Sequence, residues 1–255
     1  MTLDVPAGVL VAFLLAGIRA AGWLVLAPPF SSPAIPPVLR ALFAAALALP
    51  VTPRLANAGL GRLNLPGLLS EAVLQVTIGV VLGFFTALFF AVLRSAGELI
   101  DVLGGFSLSV GMDPMSASET SVFGRFHQML GLMLLFAVNG HLLLVRGFLA
   151  SFDALPLGSG FSLATIGRLA TGGLSQLFLA AVQVATPVAG VLFIANLSLG
   201  LLTRAAPSLN AFSLAFPLQI LVTLAVVAVT FPAMPTLVRN LTDLSLRAGS
   251  VLLHG

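Results

Sequence analysis

Arg94, Glu98 and Asp101 stand at i, i+4 and i+7, a spacing that puts all three side chains on one face of a helix. An arginine four residues from a carboxylate can neutralise it. Charges at membrane depth are expensive and normally face a protein interior or a water-filled path. Two readings follow from the spacing alone. Either the trio lines such an interior, or this helix end has already left the bilayer and the trio is solvated.

Directly downstream lies Gly104-Gly105-Phe106-Ser107-Leu108-Ser109-Val110-Gly111-Met112-Asp113-Pro114-Met115. Its glycines, serines and Asp-Pro step disfavour a helix and suit an ordered loop. Yet Phe106, Leu108, Val110, Met112 and Met115 are apolar, which a solvent loop does not normally carry. The stretch is expected to pack into something, a pore or a partner, or to form a re-entrant structural loop. Methionine is flexible enough to seal an irregular gap. The next helix is expected to begin near Ser118–Ser121, where Ser and Thr can cap it and Glu119 suits its positive end.

Other polar groups are scattered. Asn139-Gly140-His141 interrupts one apolar stretch and Asn196 another, followed by Arg204-Ala205-Ala206-Pro207-Ser208-Leu209-Asn210. Asn and His inside apolar helices tend to hydrogen-bond across helices, so Asn139, His141, Asn196, Arg204, Pro207 and Asn210 are candidates for helix packing or subunit contact. Gly79 and Gly83 form a GxxxG that permits close helix approach, although a glycine-rich chain also yields that spacing by chance. His127, His141 and His254 show no metal-ligand spacing, and no metal or other cofactor is expected. Signatures of zinc proteases, serine hydrolases and phosphate-binding loops are absent, so no enzyme is expected.

The elements that must hold these residues are overwhelmingly apolar. Of 255 residues, 59% are hydrophobic and only 7% charged, with a mean hydropathy of +1.14. Nineteen charged side chains cannot cover a water-soluble fold of this length, and disordered chains are poor in apolar residues. A membrane-embedded, all-α protein remains. The net charge of +3 and high pI do not point to nucleic acid. All eleven basic residues are arginines spread singly from Arg19 to Arg247, with no cluster to track phosphates. With no cysteine there are no disulfides or thiolate metal sites.

Six hydrophobic segments are expected, at about 6–28, 38–53, 70–94, 126–147, 174–203 and 211–238; the second is short and closes on Pro50 and Pro53. The N-terminus lacks the basic start and cleavage site of a signal peptide, so the first segment is expected to stay. With six spans, arginines divide six against four between the two sides, a weak bias toward cytoplasmic termini. Pro187, Pro217, Pro232 and Pro235 lie within apolar runs, and Pro-broken helices are expected there.

The sequence resembles the FliR family of the bacterial type III export gate (FliR/SctT-like). The resemblance rests on Gly97-Glu98-Leu99-Ile100-Asp101, Asp113-Pro114, Asn139-Gly140-His141-Leu142, Ser151-Phe152 with Leu155-Pro156-Leu157-Gly158, Pro187 through Asn196-Leu197-Ser198-Leu199-Gly200, Arg204 to Asn210, and Phe216-Pro217. Arg19, Pro28 and Arg40 also fit, and the match covers nearly the whole chain in order. One departure is Ser208, where the family usually carries Gln.

The resemblance implies a single domain over 1–255, built like one FliP-plus-FliQ helical protomer. It would join FliP and FliQ homologues in a gate that passes unfolded flagellar proteins, with an FlhB homologue associated, in the bacterial inner membrane at the basal body. It also implies that residues 102–122 hold a plug, about Gly105–Val122, projecting into the channel. An apolar, glycine-rich loop suits that task, with Gly105, Phe106, Leu108, Val110, Gly111, Met112, Asp113, Pro114 and Met115 sealing it. The alternatives are an injectisome paralogue of the same gate and a stand-alone secondary transporter; no inverted repeat supports the latter.

Overall fold

The computed structural model describes the backbone of residues 6–55, 64–106, 121–158, 163–205 and 211–243. The described backbone is helical: α1 (Ala7–Leu26), α2 (Pro37–Ala48), α3 (Thr52–Leu55), α4 (Leu65–Leu103), α5 (Val122–Ala137), α6 (Gly140–Ala154), α7 (Leu163–Ala205) and α8 (Ala211–Thr230). A one-turn 3-10 helix, Phe231–Ala233, follows α8, and helical backbone resumes over 234–243.

Local chemistry explains several boundaries. Pro37 opens α2 at a position where the missing N–H has no intrahelical partner anyway. Ser121 caps α5, its Oγ accepting from Gly124 N at 2.9 Å. The apolar stretch expected as one segment at 126–147 is instead two helices. Asn139 separates them with φ 57°, a left-handed conformation that asparagine tolerates better than most residues. Pro187 and Pro217 lie inside α7 and α8, which run through them, whereas at Pro232 the α-helix gives way to the 3-10 turn. Beside Pro187, the Thr186 hydroxyl donates to Val182 O at 2.6 Å, adding a side-chain bond on a turn where proline removes a main-chain donor.

Among the described residues, four helical stretches are long and apolar enough to cross a membrane: Ala7–Leu26, Leu65–Leu103, Ala185–Leu202 and Pro217–Asp243. They become five if Val122–Ala137 and Gly140–Ala154 together make one broken span. The chain is a polytopic helical membrane protein. Helix α2 is too short to cross, since its 12 residues rise about 18 Å. By contrast α4, with 39 residues, rises about 58 Å, far more than a hydrocarbon layer of about 30 Å.

The chain divides into two compact units, with α4 and α7 contributing to both. The first comprises 1–89, 139–174 and 242–255. Here α1 packs on α4 through glycine. A Cβ on Gly83 would lie 2.7 Å from Trp23 O, and one on Gly79 would overlap the Arg19 carbonyl. Trp23 stacks on Phe148 at 4.9 Å, and its indole N–H donates to Thr86 Oγ1 at 3.2 Å. The second unit comprises 90–138 and 175–241. Its core joins Ile100, Phe123, Val188, Leu192 and Val227, with Leu103 and Phe106 packed against them.

Candidate functional site

The last two turns of α4 are tied to α5, α7 and α8. Gly97 lets α5 come close, since a Cβ there would overlap the Phe123 carbonyl. Asp101, buried, turns its carboxylate onto the start of α5. It accepts from the Ser121 hydroxyl and from Phe123 N at 3.0 Å. The first amides of a helix have no intrahelical acceptor and carry its positive end, so a carboxylate is favoured there.

The C-terminal end of α4 is held from two other helices. The Leu103 carbonyl accepts from Gln219 Nε2 on α8 at 2.7 Å and from Asn196 Nδ2 on α7 at 3.0 Å. Gly104 N donates to Ile100 O at 2.7 Å, and a Cβ on Gly104 would lie 2.8 Å from Thr223 Oγ1. Gly105 follows with φ +80°, its α-carbon beneath the Gln219 amide. Phe106 then sets its ring edge-on against Phe123, with centroids 5.1 Å apart. The chain therefore leaves α4 at Leu103–Phe106 and returns at Ser121–Phe123, with both points anchored on the final turns of one helix.

The structure divides the expected trio. Arg94 Nε donates to Glu98 Oε1 at 2.8 Å, in a pair whose side chains are 37% and 41% exposed. Asp101 is instead occupied by Ser121 and the α5 amides. The uncharged run of 22 residues before Arg94 rises about 33 Å, already a hydrocarbon thickness. A half-solvated ion pair beyond that run is in keeping with its length.

The remaining candidates are dispersed. Gly105 and Phe106 directly follow α4, while Leu108, Val110, Gly111, Met112, Asp113, Pro114 and Met115 lie outside the described residues, as do Pro207 and Asn210. Gly79 and Gly83 face α1 within the first unit. Asn139 is exposed at the α5–α6 break and His141 half-buried on α6. Asn196 bonds Leu103, and Arg204 is exposed in the last turn of α7. Among the described residues no cluster of three His, Cys, Asp or Glu could hold a metal ion.

The first unit contains a polar centre that the residue patterns did not single out. Arg19, fully buried on α1, donates from Nε to Gln75 Oε1 at 2.6 Å, from Nη1 to Ser151 O at 2.9 Å, and from Nη2 to Leu155 O at 2.8 Å. Its guanidinium lies 4.1 Å from the centre of the Phe152 ring. Gln75 passes the connection on, donating to Glu71 Oε1 at 2.6 Å, which also accepts from Gly158 N at 3.0 Å. A buried charge needs such full satisfaction. It also sits where α6 ends, so a cation meets the negative end of that helix. The available signal was a lone arginine within an uncharged segment. Gln219, also missed, is a lone amide in the same kind of setting.

Comparison with known proteins places this architecture. The chain is 39% identical over 162 residues to the flagellar biosynthetic protein FliR of Escherichia coli (strain K12), covering 63% of this chain and 62% of that protein. It is 29% identical over 238 residues to FliR of Bacillus subtilis (strain 168), covering 92% of each. It is 28% identical over 155 residues to the surface presentation of antigens protein SpaR of Shigella flexneri, covering 60% of this chain and 59% of that one. The model of bacterial export proteins, family 1, matches residues 10–245, so nearly all of the described helices lie inside it. The chain belongs to the bacterial export proteins, family 1.

Proposed function

We propose that this chain is a core membrane subunit of the flagellar type III protein export gate. It forms, with FliP and FliQ homologues, the channel through which unfolded flagellar proteins pass, in the bacterial inner membrane at the basal body, with an FlhB homologue alongside. The observation that carries the reading is the family match over residues 10–245 together with FliR relatives aligned over as much as 92% of the chain. Exposed apolar side chains on α7 and α8, among them Phe178, Phe193, Ile194, Leu221 and Val229, suit burial against lipid or further subunits.

Within this reading, residues 102–122 carry the plug. The support is that the chain leaves and rejoins α4 at two anchored points, so the intervening stretch can face the channel while its stems stay fixed. Deleting Phe106–Met112 is expected to raise ion leak in cells that still assemble the gate; unchanged permeability would sink the plug.

The subunit role is tested by co-expression with FliP and FliQ homologues and native mass measurement. One complex containing all three is expected, together with restored motility in a strain lacking its own counterpart. A chain that purifies alone would overturn the proposal. Export by an injectisome is the second reading, favoured by the SpaR relatives. The higher identity to a flagellar protein over a similar share of the chain argues for motility instead.

A further inference from the structure

We infer that Gln219 and Asn196 are positioning residues for the segment that follows α4: they hold the Leu103 carbonyl from two helices and so set the direction in which the chain leaves toward the channel. This deepens the export-gate reading and rests on it.

The last carbonyls of a helix have no intrahelical donor and must be met from elsewhere. Helices commonly solve this with their own following backbone. Here Gly104 N turns back to Ile100 O, while both lone pairs of Leu103 O are taken by side-chain amides from α7 and α8. Three successive residues are met by one face of α8. Gln219 bonds Leu103, Thr223 closes over Gly104, and the Gln219 amide lies over Gly105, 3.1 Å from where a Cβ would stand. Thr223 is one turn beyond Gln219 and donates to its carbonyl at 2.8 Å, so the two act from one rigid helix. The positive φ of Gly105 makes the sharp change of direction, and a side chain there would be strained and would press on the Gln219 amide. The return at Ser121–Phe123 is held separately by Asp101. The exit can therefore be loosened without releasing the return.

A plain helix cap would serve stability only, and the experiment separates the two roles. Gln219→Met with Asn196→Leu removes both donors at nearly constant size. The variant is placed in the complete gate, beside the Phe106–Met112 deletion, with ion entry into cells and native mass of the gate both recorded. The expected result is an assembled gate of unchanged mass whose leak rises about thirtyfold, on the scale of two lost hydrogen bonds. Gly105→Ala, which leaves both amide side chains in the sequence but strains the turn and crowds the Gln219 amide, is expected to leak as well. If the deletion leaks while the assembled double variant and Gly105→Ala stay tight, the positioning role is overturned and the gate reading stands. If the deletion itself stays tight, the plug and the positioning role fall together, while the subunit role stands or falls on co-expression. Loss of assembly in both variants assigns Gln219 and Asn196 to folding and overturns the inference.

Discussion

Replacing Arg19 by methionine should destabilise the first unit more than any other single change of similar size. The side chain is 0% exposed and makes directed bonds to Gln75, Ser151 and Leu155. Methionine fills much of the volume but takes the Arg19 donors away from Gln75 Oε1 and Leu155 O in a dry site, and leaves Ser151 O only its helical bond from Leu155 N. It also leaves Glu71, 8% exposed, without a cation connected to it through Gln75. Removing one member of a buried charge system typically destabilises by about 3–5 kcal/mol. For a chain of this size that is a fall of about 10 °C in thermal midpoint. Trp23 is the only tryptophan, is buried and stacks on Phe148, so its intrinsic fluorescence in detergent reports unfolding of this unit directly. Arg19→Met combined with Glu71→Gln should recover at least about 1 kcal/mol relative to the sum of the single changes, because the stranded carboxylate is gone. A midpoint within about 3 °C of the parent for Arg19→Met, or strict additivity in the double variant, would refute the reasoning.

Four further outcomes follow from the same structure. Gly79→Ala should destabilise by about 1–3 kcal/mol, because its Cβ meets the Arg19 carbonyl and only backbone movement relieves it. Gly17→Ala on α1, with nothing within 4 Å, should be neutral or slightly stabilising; equal effects in the two thermal midpoints would contradict this. Asp101→Asn weakens the acceptor at the start of α5 and should cost about 1 kcal/mol, seen as faster hydrogen exchange at Phe123 and Gly124 with α8 amides unaffected. Arg54→Ala should leave the thermal midpoint unchanged within error. Its ion pair with Asp153 spans 3.9 Å between side chains 75% and 70% exposed, and a fall beyond about 3 °C would show that solvent screening had been overestimated.

Much of the helical framework is legible in the residues. Low charge content and long apolar runs require membrane helices, and Ser121 stands where the start of α5 is expected. The extents were less legible. The segment expected at 70–94 extends over Leu65–Leu103, because Arg94, Glu98 and Asp101 are compatible with a helix even though they are not apolar. The stretch at 126–147 divides at Asn139, since a hydropathy pattern averages over a single left-handed residue. Pro187 and Pro217 read as breaks but lie in continuous helices, because one missing donor does not outweigh the many remaining bonds of a long helix.

The site divides along the same line. Helical spacing put Arg94, Glu98 and Asp101 on one face, and the first two do form an i, i+4 pair. Periodicity cannot tell that Asp101 turns to α5, because the amides it meets lie 22 and 23 positions away. The partners of Arg19 stand 56, 132 and 136 positions away, and those of Leu103 stand 93 and 116 away. By itself the amino-acid sequence determined what acts locally: apolar runs long enough to span a membrane, caps, and small residues where helices can approach. Only the tertiary structure decided which buried polar group meets which, because in a site without water every donor and acceptor must find its partner among whatever elements the fold brings there.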